Sequence, residues 1–486
     1  MRPSIKFLSE QLIQNIVSEA INLLCTLGVE INNKNILALL ADHGAKISMD
    51  TSKAIFTQAL IEKSIKSVPN SFKLYDVLGN ETHHFSGHNV YFTPGSAALH
   101  FLDQNSKKVR KPLTEDYIRY AKVVSQLEFI ASQSTAFIPC DIPDKISDSY
   151  RLFLSLLYCE KPVVTGSFTI ESFEVMKNFQ IAIRGDEKAL VEEPLTIFSC
   201  CPTSPLKWND VTSQNVSDCA KYSIPIELIA MPLSGFIAPV TLTGTLIQHT
   251  AETLSGIAIS QVSNPGTPVL YGGSPAIFDM RYQTTPMGAI ETMMIDCAYN
   301  EIGKYLGLPT QAYISLSDAN QLDAQAGLES GIGATLAALA GINNVSGPGM
   351  LDFENCFSLE KLITDNEICR MVFRLIDGIT PKEDFPAHPI FQELLSEKHL
   401  LTSEHTQSYL REEHIFPERV INRMNRSQWE EQGSETLTQR AARQIENLLT
   451  SYQPSRLSQN VQQELIKLMQ TEAQHHGHDQ MPARME

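Results

Sequence analysis

The stretch from Thr267 to Met350 decides the fold, and it opens with the run Pro-Val-Leu-Tyr-Gly-Gly-Ser-Pro at positions 268–275. An apolar run that stops at two glycines, a serine and a proline is typical of a buried strand followed by a loop. Two helical patterns and two further strand-like runs then alternate, at about 286–305, 312–316, 320–340 and 343–346. Strands separated by helices indicate parallel neighbours joined by crossover connections.

The same alternation extends towards the N-terminus of the chain. Five more strand-like runs, each followed by a helical pattern, lie at about 89–95, 129–138, 162–168, 195–201 and 225–231. Eight strand–helix units in succession predict an α/β fold, specifically a (β/α)8 TIM barrel. An open doubly wound sheet is the alternative, and the even spacing of the units favours the barrel.

Three regions are predicted from the distribution of these patterns. The barrel, as the catalytic domain, covers residues 87–380. Apolar stripes at helical spacing before it predict a helical N-terminal extension over residues 1–86. A more polar and charged composition after it predicts a helical C-terminal extension over residues 381–486 that ends in a flexible tail.

The bulk composition narrows the class of protein. The 486 residues carry 38 basic and 55 acidic side chains, a formal net charge of −17, which argues against nucleic acid as a main partner. No apolar run is long enough to cross a membrane, and the first residues lack the pattern of a signal peptide. The nine cysteines are scattered without a Cys-x-x-Cys pair, so we expect reduced thiols and a cytoplasmic protein.

Several long motifs occur together and in a fixed order. They lie at 201–206, 231–235, 238–242, 271–281, 288–294, 317–319, 323–331 and 347–353. In these motifs the chain resembles the trimethylamine methyltransferase family. The resemblance implies a TIM barrel that passes a methyl group from an amine to the cobalt of a cobalamin-type corrinoid held by a separate corrinoid protein. It also implies methanogenesis-related metabolism. We expect a homo-oligomer, because such assemblies are usual for barrels with large helical additions, and no cofactor bound by the chain itself, because no cofactor motif is recognisable.

The chain departs from the founding members of that family because no pyrrolysine appears in it. It therefore resembles the non-pyrrolysine branch, whose substrates are small quaternary amines such as glycine betaine, proline betaine or carnitine. The departure makes chemical sense. A quaternary nitrogen is already cationic, so it leaves as a neutral amine when Co(I) attacks the methyl carbon, whereas a free tertiary amine needs activation.

A quaternary ammonium group is attracted by aromatic faces, at about 0.5–2 kcal/mol per contact. The aromatic candidates follow predicted strands, and those we favour are Phe92, Phe236, Tyr271 and Tyr313. A substrate carboxylate could be held by Arg281, by His405 or by the amides of Gly272 and Gly273. Arg281 could equally pair with Asp279.

The loop after the seventh strand supplies the predicted catalytic residues. Gln325 is expected to orient the substrate head, and Asp323 and Asp318 to shape the loop or act as acids. Asp318 could instead cap the following helix, since Gln321 stands at capping-box spacing. Glu329, predicted to bind substrate, shares a helix face with Gln325 and could simply pair with it.

The run Gly347, Pro348 and Gly349 follows the eighth strand. Glycines let a bulky ligand approach the backbone, so these residues are predicted to face the corrinoid ring, with a plain tight turn as the competing account. No metal-ligand cluster or nucleotide fingerprint is recognisable, so no metal site is predicted. A catalytically silent barrel that binds amines or a corrinoid protein as a sensor or scaffold is the alternative function.

Overall fold

The computed structural model describes residues 2–103 and 106–478. Eight parallel strands form its centre, each overlapping one of the predicted runs: Tyr91–Thr93, Gln133–Ser134, Val163–Thr165, Thr196–Cys200, Ile226–Ala230, Val269–Gly273, Gln311–Tyr313 and Asn344–Ser346. We number them strands one to eight. Strands two to six form one sheet, and strands seven, eight and one form another. The mixed α/β class and the parallel strands are confirmed.

Backbone hydrogen bonds join the two sheets at both edges. Tyr271 N–H on strand six donates to the carbonyl of Pro309 at 2.8 Å, and a parallel bridge pairs Tyr271 with Thr310. At the other edge the N–H of Ala131 donates to the carbonyl of Phe92 on strand one, also at 2.8 Å. Pro309 and Ala131 lie just before strands seven and two, so the edges of the two sheets lie next to each other.

A long helix follows each strand before the next strand begins. In chain order these helices are Thr114–Val124, Ser147–Tyr158, Ser172–Arg184, Asp210–Lys221, Leu242–Ser263, Ile290–Tyr305, Ala324–Ala340 and Leu359–Asp377. The short helices Asp144–Ile146 and Glu187–Glu192 lie between them. Short strands also occur in the intervening loops, at His100–Leu102, Val109–Arg110, Lys207–Trp208, Leu233–Ser234, Ala276–Ile277, Met350–Leu351 and Cys356–Phe357.

The central strands have two different faces. Val163, Phe198 and Val269 pack into the main core with the helices. Because side chains alternate along a strand, their neighbours Val164, Ile197 and Leu270 point the other way. These form a separate apolar core with Phe72, Leu74 and Phe85. We call the face turned away from the helices the inner face.

The N-terminal region is not purely helical, which corrects the prediction for residues 1–86. Besides the helices Glu10–Thr26, Lys34–Asp42 and Gln58–Ser67, it contains the strands Val29–Ile31, Lys46–Ser48, Lys53–Ile55, Phe72–Tyr75 and Glu81–Phe85. Each strand has only three to five residues. Periodicity is hard to recognise over so short a run, and partner strands rather than local pattern stabilise them. The Phe72–Tyr75 and Glu81–Phe85 hairpin covers the inner apolar core.

The C-terminal region is helical, with helices His388–Glu397, Glu404–Glu413, Arg426–Glu431, Leu437–Ser451 and Gln459–His475. The last two bury apolar side chains, whereas the first two bury none. The predicted flexible tail beyond residue 478 lies outside the described residues. Among the helices that the structure describes, none is long and apolar enough to cross a bilayer.

Candidate active site

Above the apolar layer, the inner face of the strands becomes polar. Glu227 on strand five is fully buried, and its Oε1 accepts a hydrogen bond from Ser199 Oγ on strand four at 2.6 Å. Its Oε2 accepts one from Asn344 Nδ2 on strand eight at 3.0 Å, so the carboxylate links the two sheets. Burial raises the pKa of Glu227 to about 7, although both hydrogen bonds act in the opposite direction.

A second carboxylate, Glu354, reaches the same space from the loop after strand eight. The residue is half-buried, but its Oε1 is fully buried and has no hydrogen-bond partner among the described residues. Burial raises its pKa to about 8; a hydrogen bond from the Ser96 N–H opposes the shift, and the charge of Glu227 adds to it. Two raised carboxyl pKa values in one interior are typical of a functional site.

The backbone that carries Glu354 is strained. Asp352, Phe353 and Glu354 have φ values of 52°, 54° and 68°, three successive left-handed residues that are not glycine. Such a conformation costs about 1–2 kcal/mol per residue and persists only where the surroundings hold it. The antiparallel pairing of Met350 with Phe357 closes this loop. The strained backbone that places this carboxyl group therefore lowers the stability of the fold.

Tyr313 and Cys201 complete this interior. The hydroxyl of Tyr313, at the end of strand seven, lies 2.8 Å from Ser96 Oγ. Burial raises the pKa of Tyr313 well above its ordinary value, and the charges of Glu227 and Glu354 raise it further. Burial and the same two charges also raise the pKa of Cys201, beyond strand four. We call Ser96, Cys201, Glu227, Tyr313 and Glu354 the carboxylate cluster.

The carboxylate cluster contains acids but no base. In the part of the chain that the structure describes, no Lys, Arg or His forms an ion pair or hydrogen bond with Glu227 or Glu354. Buried carboxylates are normally paired with a cation or kept neutral by a proton. Two carboxyl groups without a basic partner in the described chain, beside a tyrosine ring, are suited to a small organic cation that would balance them.

A buried arginine lies close to the cluster. Arg151 is 1% exposed, and its Nη1 donates at 2.7 Å to the carbonyl of Thr135, which also accepts from Ala97 N–H beside Ser96. Its guanidinium lies 4.7 Å above the ring of Phe168, and its Nη2 has no hydrogen-bond partner within the described chain. A donor left free in this way could bind an anionic group.

The predicted catalytic loop is built differently from expectation. Asp323, not Asp318, caps the helix Ala324–Ala340 by accepting a hydrogen bond from Gln325 N–H at 2.9 Å. Gln325 is exposed and donates to Glu329 at 2.9 Å, which is the simple helix pair left open above. Glu329 also accepts from the Asp318 N–H at 2.9 Å.

The Asp318 side chain links the loop after strand seven to the loop before the sixth helix. Its carboxylate accepts from the N–H groups of Met287 and Gly288 at 2.9 and 2.8 Å, and burial raises its pKa to about 6. A side chain at Gly288 would collide with Glu329, whose carboxyl carbon lies 2.7 Å from the position of a β-carbon. The carboxyl groups of Asp318 and Glu329 therefore hold the loop before the sixth helix against the seventh.

Of the four predicted cage aromatics, only Tyr313 lies in the carboxylate cluster. Phe92 packs edge-on against Phe373 of an outer helix, at 5.6 Å between ring centroids. Tyr271 donates from its hydroxyl to Thr250 at 2.9 Å, also among the helices. Both point away from the inner face because each stands one residue out of register with an inward position. They are core residues, and the prediction for them is wrong.

The two glycines that end strand six make close packing possible. A β-carbon at Gly272 would lie 2.4 Å from Gln311 Oε1, and one at Gly273 would lie 2.2 Å from His249 Nε2. The Gly273 N–H donates to Gln311 Oε1 at 3.1 Å, so it is not free for a substrate carboxylate. These residues make room for neighbouring side chains.

Three predicted binding residues lie at the surface. Phe236 is 64% exposed and stacks on Phe278 with ring centroids 4.8 Å apart. Arg281 is exposed and paired with Asp279 at 2.6 Å, which was the alternative. His405 lies on the helix Glu404–Glu413 and contacts the ring of Tyr409. None of the three contacts the carboxylate cluster.

The predicted corrinoid-facing turn is packed against its own chain. Gly347, Pro348 and Gly349 are all buried. A β-carbon at Gly349 would lie 2.6 Å from the ring of Phe357, and the Gly349 N–H donates to Asp365 at 2.7 Å. These residues therefore form a tight turn, which was the alternative, and not an open surface for the corrinoid ring.

Sequence reasoning missed the two central carboxylates. A usable signal existed for Glu227, since a lone glutamate stands inside the apolar run Ile-Glu-Leu-Ile at 226–229. A charged residue in a buried strand is expensive and therefore suggests a function. Glu354 carried no such signal, because only the three-dimensional course of its loop brings it inside.

We searched the described residues for side chains that could bind a metal ion. Within residues 2–103 and 106–478, no three His, Cys, Asp or Glu side chains come together as a metal ion would require. The site therefore consists of carboxyl, hydroxyl, thiol and amide groups.

Comparison with known proteins places the chain in a family. A sequence model of the trimethylamine methyltransferase (MTTB) family matches residues 1–477. Trimethylamine methyltransferase MttB of Desulfitobacterium hafniense (strain DSM 10664 / DCB-2) is 27% identical over 450 residues, covering 93% of this chain and 90% of the relative. Glycine betaine methyltransferase of Desulfitobacterium hafniense (strain Y51) is 27% identical over 465 residues, covering 95% and 96%.

Solved structures show the same fold. The crystal structure of the Methanosarcina barkeri monomethylamine methyltransferase (MtmB) matches with a TM-score of 0.52 and 11% sequence identity. The match covers 92% of this chain and 89% of that one. Together with the match over residues 1–477, this shows that the chain is a methyltransferase and belongs to the trimethylamine methyltransferase family.

Proposed function

We propose that the protein transfers a methyl group from a quaternary amine to the Co(I) of a separate, cobalamin-type corrinoid protein. The observation that carries this proposal is the carboxylate cluster: among the described residues, Glu354 Oε1 is buried without a hydrogen-bond partner and no basic side chain pairs with Glu227. The glycine betaine methyltransferase among the relatives supports the substrate class. The corrinoid is supplied by the partner and acts as the methyl acceptor.

We further infer that the eight strands close into a (β/α)8 barrel. The support is the hydrogen bond at each edge between the two sheets, from Tyr271 to Pro309 and from Ala131 to Phe92. The Glu227–Asn344 hydrogen bond also spans the enclosed space. In such a barrel the loops after the strands form the active-site face, which is where Ser96, Cys201 and Glu354 are found.

The raised pKa values suit a substrate whose charge disappears during the reaction. The carbon–nitrogen bond breaks, its electron pair stays on nitrogen, and the methyl group passes to cobalt. A permanently ionised carboxylate would stabilise the cation of the ground state more than the transition state. Glu227 and Glu354, with pKa values of about 7 and 8, are not permanently ionised: they lose their protons when the cation binds and can take a proton back as the charge on nitrogen disappears.

Tyr313 and Arg151 have supporting roles in this proposal. The Tyr313 ring offers the cation an aromatic face beside the two carboxyl groups. Arg151, with its free Nη2, would bind the carboxylate of a betaine in place of the predicted Arg281 and His405. The substrate would then lie with its ammonium group inwards and its acidic end at Arg151.

The corrinoid protein is proposed to dock on the apolar surface beside the loops after strands five and six. Phe236, Val240, Met280 and Tyr282 are between 64% and 74% exposed, and Phe236 stacks on Phe278. The short strands Leu233–Ser234 and Ala276–Ile277 pair with each other and hold this surface together. Exposed apolar clusters of this kind mark protein interaction sites.

The test uses two methyl acceptors: the reduced corrinoid protein and free cob(I)alamin. A panel of glycine betaine, proline betaine, carnitine, choline and trimethylamine is added, and the visible spectrum of the corrinoid reports methylation. We expect transfer from at least one quaternary amine and no transfer from trimethylamine. Binding of amines without any methylation would favour the sensor or scaffold alternative and overturn the proposal.

Two variants separate substrate binding from partner docking. Phe236→Ser should raise the KM for the corrinoid protein and leave transfer to free cob(I)alamin unchanged. Ile379→Ser is the matched control, because Ile379 is 89% exposed but lies after the last barrel helix. Equal effects of the two substitutions, or an equal loss with free cob(I)alamin, would place the docking surface elsewhere.

A further inference from the structure

A second concave region lies in the C-terminal extension, far along the chain from the carboxylate cluster. It is a cleft of about 610 Å³ between the loop at 416–424 and the helix Leu437–Ser451, with Trp429 at one side. Clefts of 300–1,000 Å³ are the usual size for small-molecule sites. Val420, 2% exposed, and the buried Ala441 and Ile445 anchor both walls in the main core.

The lining of this cleft is strongly basic. It contains Arg419, Arg423, Arg440 and Arg443, against a single acid, Glu435. The sequence as a whole has the opposite balance, with a net charge of −17. Four guanidinium groups around one space repel each other unless an anion neutralises them.

Two of the four arginines are already engaged in the fold. Arg440 donates to the carbonyls of Val420 and Glu435 and so fixes the loop against the helix. Arg443 donates to the Glu435 carboxylate at 2.7 Å. The single negative charge of Glu435 is therefore balanced by Arg443, and it leaves the other arginines of the cleft without a counter-charge among the described lining residues.

The other two arginines have no such role. Arg419 and Arg423 are exposed and form no ion pair or side-chain hydrogen bond with any residue from 2–103 or 106–478. Both stand on the loop that Arg440 holds in place, four residues apart. Two guanidinium forks on one short loop, without partners in the described chain, are suited to the several oxygens of a phosphate group.

Trp429 adds an aromatic wall of fixed orientation. Its Nε1 donates to the Glu435 carbonyl at 3.1 Å, which fixes the indole while leaving the residue partly exposed. A planar ring can lie against such a face. The amides of Asn422, Gln432 and Gln444 supply neutral donors and acceptors around it.

We propose that this cleft binds a small phosphorylated ligand, with the phosphates on Arg419 and Arg423 and a planar ring against Trp429. The concave shape favours a small molecule over a flat protein surface. The site is independent of the methyl-transfer site and of the proposed function. It would give this chain a ligand besides its amine substrate.

Binding is tested on the full-length protein with inorganic pyrophosphate and with ADP as probes. Isothermal titration calorimetry measures both. ADP binding is also followed by tryptophan fluorescence excited at 295 nm, because the only other tryptophan, Trp208, is fully buried. We expect saturable binding of both probes, and quenching of Trp429 by ADP.

The double substitution Arg419→Gln with Arg423→Gln should weaken both probes by at least about tenfold. Arg426→Gln is the matched control, since Arg426 is 82% exposed, pairs with Glu430 and lies outside the cleft. Trp429→Leu should weaken ADP but not pyrophosphate. The melting temperature of each variant shows whether it is folded.

Three results would overturn the proposal. One is the absence of saturable binding of either probe at 10 mM. Another is equal weakening by Arg426→Gln, which would indicate a diffuse charge effect. The third is binding of poly-glutamate without binding of pyrophosphate, which would make the cleft a docking site for an acidic protein segment.

Discussion

Two buried sets of carboxyl groups in this protein are treated in opposite ways. Asp365 is fully buried, and both of its oxygens lie within 2.7 Å of Lys361 Nζ, which also donates to Ser330. Within residues 2–103 and 106–478, Glu227 and Glu354 have only neutral donors, and one oxygen of Glu354 has no hydrogen-bond partner. The fold can supply a buried cation where a carboxylate is structural. The described residues supply no such cation to the inner carboxyl groups, whose raised pKa values let a proton keep them neutral until a cation binds.

The largest expected effect is on the paired carboxylate. Lys361→Met leaves Asp365 buried without a cation, which should lower the free energy of unfolding by about 3–5 kcal/mol in urea titrations. Glu354→Gln is the comparison variant and should not lower it at pH 8. Equal destabilisation by both substitutions would mean that Glu354 is structural too.

Glu354→Gln should lower the activity of the protein and leave its stability unchanged. Removing the carboxyl group that meets the cation should lower kcat/KM for the quaternary amine by about 100-fold, or about 2.7 kcal/mol of transition-state binding. Steady-state methylation of cob(I)alamin measures this loss. A variant that retains the wild-type rate with every accepted amine would remove Glu354 from the site.

The unpaired carboxyl groups should also make the protein sensitive to pH. Their folded-state pKa values of about 7 and 8 exceed the ordinary glutamate value, so the protonated form is favoured in the fold. Stability should therefore fall as pH rises from about 5 through 8, while affinity for the cation rises through about 7–8. Calorimetry at pH 6 and 9 checks both trends. Glu354→Gln should flatten them, and an unchanged slope would assign the titration elsewhere.

Arg151 is a buried cation, and we expect that it too is completed by the substrate, through the carboxylate of a betaine. Arg151→Lys keeps the charge but loses the free Nη2, so the KM for a betaine should rise by about tenfold. The KM for choline, which lacks a carboxylate, should not change. Equal effects on both substrates would show that Arg151 only holds Thr135 and the helix Ser147–Tyr158 in place.

The smallest effect is expected at Gln325, whose partner is a helix neighbour. Gln325→Ala removes an exposed pair with Glu329 that contributes about 0.2–0.5 kcal/mol. Turnover should change by less than about twofold. If turnover fell tenfold or more while the melting temperature stayed the same, the loop after strand seven would belong to the catalytic site after all.

The strands could be predicted from the sequence because their signal is local. Runs such as Val269–Gly273 and Ile226–Ala230 are apolar, short and bounded by turn residues, and all eight were found. The family resemblance rested on motifs of the same loops. The direction of single side chains was not predictable, since one residue of register decides whether Tyr271 or Gly272 faces inwards.

The candidate site depended on contacts between residues far apart in the chain. Glu227 and Asn344 are separated by 117 positions, and Ser96 meets Tyr313 across 217. The periodicity of a sequence carries no information about contacts between residues so far apart. Asp318 was predicted to be catalytic and Glu329 to bind substrate because both follow strand seven. Polar side chains in such positions can equally link two loops, as these do.

The unpartnered oxygen of Glu354 has a consequence for how the protein behaves as its surroundings acidify. A site that is neutral when empty and ionised when occupied makes the proton a competitor of the amine. Each amine bound would release hydrogen ions, in an amount that calorimetry in buffers of different ionisation enthalpy can count. A fall in pH below about 7 would then slow methyl removal even when the amine is plentiful, and the protein would respond to acidity without any dedicated sensor.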